Sequence, residues 1–144
     1  MKFISFNHDN SEKFGIIENN LITDLTGKID GASSLKELIK IKKIKEAKEY
    51  AKSNPGSIKP DEIKYSPLIP NPGKIICVGL NYSEHVKETN RTVEENPVIF
   101  HRFPESQTAH MQAIQRPTVS ESLDFEGEMA VVMDEGGKHI KPED

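Results

Sequence analysis

Three prolines and a glycine fall within the eight residues from Ser66 to Gly73, as Pro67, Pro70, Pro72 and Gly73. Each proline fixes φ and removes an amide donor, so neither a helix nor a central strand can run through this stretch. The chain must therefore fold as something before the connector and something after it. We divide it into residues 1–68 and residues 70–144. A length of 144 residues suits one ordinary domain, or a small domain followed by part of a larger one.

The leading part predicts a small α+β unit. Lys2 to Phe6 and Lys13 to Glu18 are short strand-like runs separated by the turn formers Asp9, Asn10 and Ser11. Asn19-Asn20 makes a tight hairpin turn plausible, because asparagine tolerates positive φ, and Leu21 to Leu25 completes a three-stranded meander. Ser34 then caps a helix, with Glu37 completing a capping box. Leu35, Leu38, Ile41, Ile44 and Ala47 recur at near-helical spacing, and Asn54-Pro55-Gly56 ends the run. Lysines crowd its polar face, but Glu37, Glu46 and Glu49 interleave with them and no aromatics accompany them. A solvated helix face explains this better than a nucleic-acid patch.

Composition narrows the function classes. A net charge of −4 exerts no global pull toward nucleic acid or a membrane surface. The longest apolar run, Ile75 to Leu80, is far too short to span a bilayer, and Met1 to Ser5 does not open a secretory signal. The single cysteine, Cys77, cannot form an internal disulfide, and its place in an apolar strand reads as packing. These features predict a cytoplasmic protein, in which the two glycosylation-like triplets at Asn81 and Asn90 are chance.

After the connector the character changes. Lys74 to Leu80 is continuously apolar and predicts a strand buried on both faces, with further strands over Val98 to Phe103 and Glu128 to Met133. Two constellations there can carry chemistry. In the first, Ser83 caps a short helix that places His85 and Glu88 one turn apart, a couple able to activate water. Taken alone, such a pair is more often an exposed pair on a surface helix. In the second, Glu126 and Glu128 flank Gly127. On a strand their carboxylates share a face about 7 Å apart, and their mutual repulsion favours a cation between them. Oxygen ligands select a hard divalent ion, Mg²⁺ first, with Mn²⁺ or Ca²⁺ as alternatives. A solvent-facing edge strand also carries glutamates for solubility. The full dinucleotide-binding glycine pattern, a phosphate loop and a serine-nucleophile elbow are all missing from the sequence.

The order of these pieces is more specific than any one of them. Lys74-Ile75-Ile76-Cys77-Val78-Gly79-Leu80-Asn81-Tyr82, then His85 and Glu88, resembles the opening strand and helix of the fumarylacetoacetate hydrolase family. Pro97 to Phe100 with Arg102-Phe103-Pro104 resembles that family's next strand. Pro117, Val119-Ser120-Glu121 and Asp124-Phe125-Glu126-Gly127-Glu128 resemble the approach to its metal-binding Glu-x-Glu. The resemblance covers residues 70–144, and the leading part fits the small N-terminal domain that many members carry.

The resemblance implies a mixed β-roll holding a divalent cation near a dimer interface. It also implies a small 1,3-dicarbonyl or 2-oxo acid as substrate. It assigns His85 and Glu88 to proton transfer, Glu126 and Glu128 to the metal, and Arg102 to the substrate carboxylate, which its planar fork suits. Hydrolysis of a C–C bond in acylpyruvate- or fumarylacetoacetate-type 1,3-dicarbonyl acids is the leading expectation; decarboxylation or isomerisation of 2-oxo or 2-hydroxymuconate-type acids is the alternative. The family's third metal ligand is an aspartate well beyond position 144, and Asp134 and Asp144 are poor substitutes by position. The expectation is therefore a truncated member, a homodimer or a fragment that associates with another chain. Ala109 and Met111 stand where the family has glycines beside His110, which puts the form of that loop in question.

Overall fold

The computed structural model describes residues 1–88 and 96–143, and the side chains of Glu84 and His85 lie outside that description. It divides into two compact units, Met1–Ile69 together with Thr108–Asp144, and Pro70–Gln107. The architecture is α+β.

The first unit is built on a meander of β1 (Lys2–His8), β2 (Ser11–Glu18) and β3 (Leu21–Asp24). Asp9-Asn10 and Asn19-Asn20 form its two hairpin turns, all four residues at positive φ, which is the geometry a two-residue turn needs to match strand twist. A strand absent from the sequence expectation, β4 (Lys64–Tyr65), pairs with β1, giving the order β3-β2-β1-β4. Two residues are too few for periodicity to reveal. Ser5 fastens the start of the connector: its carbonyl accepts from Ser66 N–H (2.9 Å), and its hydroxyl donates to Leu68 O (2.7 Å).

The predicted helix is two helices, α1 (Leu35–Lys40) and α2 (Ile44–Ser53). Ser34 caps α1 by accepting from Glu37 N–H at 3.2 Å. The Glu37 carboxylate accepts from the Ser33 amide (2.8 Å) and from the Ser33 hydroxyl. These bonds hold its pKa below the ordinary carboxylate value, the hydroxyl contributing most. Between the helices Lys42 adopts φ 59°, while Lys43 N–H donates to Leu38 O (3.1 Å) and Lys42 N–H to Ile39 O (2.9 Å). This is a Schellman motif with lysine where glycine is usual. The break turns Ile41 out to solvent, contrary to its place in the predicted apolar stripe.

Phe14, Ile16, Leu25, Ile29, Leu35, Leu38 and Ala47 form the core beneath the sheet. Each fully buried large side chain among them contributes about 1.5–3 kcal/mol. The chain leaving α2 passes close to β3. Ile22 N–H donates to Ile58 O (2.8 Å), and a Cβ on Gly56 would stand 2.4 Å from the Ile22 carbonyl carbon. Gly56 is therefore required for close backbone approach, not only for leaving the helix.

The second unit contains β5 (Ile75–Gly79), α3 (Ser83–Glu88) and β6 (Val98–Arg102). β5 and β6 pair antiparallel, from Ile75 opposite Arg102 to Gly79 opposite Val98. The sequence predicts β5 buried on both faces. The structure instead leaves Ile76 61% exposed and Val78 43% exposed, because a two-stranded sheet has too few neighbours to cover both sides.

Candidate active site

The strand–turn–helix that carries the first constellation is present. β5 ends at Gly79, Leu80 turns the chain with φ 55°, and α3 follows at once. A left-handed leucine costs on the order of 1 kcal/mol, so this turn is held by its surroundings rather than by local preference. Val86 N–H donates to Tyr82 O at 3.1 Å, so the first helical bond starts one residue earlier than a Ser83 cap implies. Val86 is buried and anchors the helix. His85 and Glu88 stand three residues apart on α3, and Glu88 is exposed; the His85 side chain lies outside the described residues.

Arg102 closes β6, with its guanidinium carbon 5.7 Å from the centre of the Phe100 ring. Both residues point to the sheet face that also carries Ile75 and Cys77, their direct neighbours across the pair. At that distance the Phe100 ring attracts the guanidinium by cation–π interaction. On the opposite face His101 meets Phe103 edge-on at 5.3 Å.

Glu126 and Glu128 are exposed, and the predicted strand over Glu128 to Met133 is not formed: residues 123–133 take no regular secondary structure. An apolar run makes a strand only where a neighbouring backbone supplies the ladder, and this segment pairs with none among the described residues. The glutamates' oxygen chemistry suits a hard cation. Yet among the described residues no three histidine, cysteine, aspartate or glutamate side chains come together as a metal site. The donors are of the right kind, but this arrangement does not assemble them around an ion. Asp134 lies in the same exposed segment, and Asp144 is outside the described residues.

Sequence reasoning missed how the loop around His110 is held. Ala109 is buried, the His110 ring meets Tyr65 edge-on at 4.9 Å, and Gln112 Nε2 donates to Tyr65 O at 2.8 Å. Gln112 N–H donates to Ala109 O (3.1 Å) in a tight turn whose Met111 has φ 60°. The glycine-poor loop thus forms its turn with a methionine in the left-handed region. The sequence signal for this contact is slight: one tyrosine and one histidine, 45 residues apart, in two short segments without periodicity.

Comparison with known proteins places these observations. A family described as fumarylacetoacetate (FAA) hydrolase, C-terminal, matches residues 74–144. An oxaloacetate tautomerase Fahd2a of Rattus norvegicus, named as mitochondrial, is 42% identical over 83 residues, covering 58% of this chain and 26% of its own length. An oxaloacetate tautomerase fahd2 of Xenopus laevis, also named as mitochondrial, is 39% identical over 98 residues, covering 68% of this chain and 31% of its own. The chain thus spans roughly a quarter to a third of these curated relatives. A crystal structure assigned as an HpcE protein from Mycobacterium smegmatis superposes with a TM-score of 0.60 at 21% identity, covering 81% of this chain and 41% of that one. At that identity the likeness is one of fold: an α+β chain carrying part of the same domain.

Proposed function

Because residues 74–144 belong to the fumarylacetoacetate hydrolase family, we propose that this chain forms the opening part of an enzyme acting on small 1,3-dicarbonyl or 2-oxo acids. The primary reading is metal-dependent hydrolysis of a C–C bond in acylpyruvate-type substrates. The observation that carries it is the unbroken order of the family's parts: the β5–turn–α3 unit, then Arg102 closing β6, then Glu126 and Glu128. The small leading domain, residues 1–68, and a catalytic domain from residue 70 belong to the same reading.

In this reading His85 takes the proton from an attacking water, and Glu88, one turn on, orients the imidazole or shares the proton. Arg102 binds the substrate carboxylate in bidentate fashion while Phe100 steadies its guanidinium. Glu126 and Glu128 are the proposed ligands of a divalent cation, Mg²⁺ before Mn²⁺ or Ca²⁺. When bound, that ion would supply the positive charge that stabilises an enolate. Association as a homodimer, or with another chain, completes the proposal, because the described residues alone do not assemble the ligands.

A second reading is favoured by the tautomerase names of the relatives. Keto–enol exchange needs only a proton removed at carbon and returned at oxygen, a task the same His85–Glu88 couple is suited to perform. Among the described residues no helix is long and apolar enough to cross a membrane. We place the protein in the cytoplasm, against the mitochondrial names of those relatives.

The test is turnover of acylpyruvates and of oxaloacetate with added Mg²⁺. Loss of the acid–base group in His85→Ala should cost about 10²–10⁴-fold, and Glu126→Ala, which removes a proposed cation ligand, should abolish the Mg²⁺-dependent rate. Equal rates in the parent and both variants would remove the enzymatic reading. The product, cleaved fragments or a shifted tautomer ratio, selects between hydrolysis and tautomerisation.

A further inference from the structure

One end of the first unit's sheet carries polar side chains that no other described residue engages. Asn7 on β1 stands directly opposite Lys64 on β4, so their side chains share a face. The ladder continues to Ser66, whose N–H donates to Ser5 O at 2.9 Å. Together with Asn10 of the hairpin turn and Gln112, these residues line a cleft of about 430 Å³ beside Tyr65. None of the residues assigned to the candidate active site lines it.

Charge and hydrogen-bonding capacity define what this cleft can take. Lys64 is the one charged residue lining it, and it makes no ion pair among the described residues. Two nearby acids are placed elsewhere. Glu12, opposite Asn7 on β2, does not line the cleft, and the Asp9 carboxylate lies 3.3 Å from His8 Nδ1. The side chains of Asn7, Asn10 and Ser66 form no hydrogen bond among the described residues. The backbone adds a donor. Because Ser66 N–H points at β1, strand alternation turns the Tyr65 amide and carbonyl to the outer edge of the sheet. Gln112 Nε2 covers that carbonyl at 2.8 Å, and among the described residues the Tyr65 amide is left open. An edge amide beside a cation suits an anion.

We propose that this cleft binds a small hydroxy monocarboxylate. Lys64 and the Tyr65 amide receive the carboxylate, and Asn7, Asn10 and Ser66 take the hydroxyl groups. One ammonium balances one carboxylate, whereas a phosphate dianion would leave negative charge uncompensated. Amide and hydroxyl side chains both donate and accept, as the hydroxyl groups of such an acid do. Lys64 is exposed, so solvent screens the ion pair and the affinity is millimolar rather than micromolar.

Amide NMR spectra of the full chain, titrated in turn with glycerate, inorganic phosphate and glycerol, test this. Glycerate should shift the Tyr65 backbone amide and the Asn7 and Asn10 side-chain amides along one saturable curve. Phosphate should bind more weakly, and glycerol should give no saturable shift. Lys64→Gln should raise the glycerate Kd about tenfold. Asn10→Gly should raise it as well, because glycine keeps the left-handed turn while removing the side-chain amide. Lys2→Gln, which alters an exposed lysine outside the cleft, should leave it unchanged. The same spectra show that each variant still folds. Absence of a saturable glycerate shift, an equal response to glycerol or tighter binding of phosphate would each overturn the proposal. So would a Kd that Lys64→Gln leaves unchanged, or that Lys2→Gln raises as much.

Discussion

Lys13 Nζ lies 2.8 Å from Asp24 Oδ2 across the β2–β3 pair, with both side chains about three-quarters buried. The same carboxylate accepts the Thr26 amide at 2.8 Å, so one aspartate ties the last strand of the meander to the loop that follows it. Burial pushes the Asp24 pKa up, but the bonds from Lys13 and Thr26 outweigh it and leave the pKa below its ordinary 3.8.

A depressed folded-state pKa means that Asp24 contributes stability at all pH values above its unfolded pKa. That contribution is lost as pH falls through the lower, folded value. Asp24→Asn, which keeps an acceptor for Thr26, should flatten the acid limb of a urea-midpoint profile measured between about pH 5 and about pH 2. At pH 7 the loss should stay below about 1 kcal/mol, since the pair is partly solvated. An unchanged acid limb would show that the pair does not couple to folding.

Gly56 has no room for a side chain, because a Cβ there meets the carbonyl carbon, carbonyl oxygen and amide nitrogen of the Ile22–Thr23 link at 2.4 to 2.7 Å. Gly56→Ala should destabilise by about 1–3 kcal/mol through forced backbone displacement, read as a lower denaturation midpoint. Gly27→Ala is a useful contrast: that position has open space but a φ of 69°, so its cost is conformational strain alone and should be smaller.

Removing the Ser34 hydroxyl leaves the Glu37 amide without its cap, and Ser34→Ala should cost about 0.5–2 kcal/mol. Far-ultraviolet circular dichroism during urea titration measures it. No change would mean that Ser33 and Glu37 alone hold the first turn.

Lys42→Gly should stabilise the chain by up to about 1 kcal/mol, because the Schellman position between α1 and α2 asks for a left-handed residue and lysine meets it under strain. Lys42 also pairs with Glu135, an exposed contact worth little. A stability loss on substitution would mean that this ion pair outweighs the strain.

The sequence by itself determined the features that depend on near neighbours. The Asp9-Asn10 and Asn19-Asn20 turns, the strand run through β2, the Ser34 cap and the stop at Asn54-Pro55-Gly56 are all local chemistry, and each stands where the residues put it. The family, too, was written in short runs of fixed order. Tertiary structure decided what depends on partners distant in sequence. It split the predicted helix at Lys42, where no glycine announced the turn, and it added β4, too short to show a period. It also left Glu128 to Met133 without a strand: the apolar run suits one, but a ladder needs a second backbone. Hydrogen bonds between strands are made across space, so a sequence can prepare a strand without providing what it pairs with.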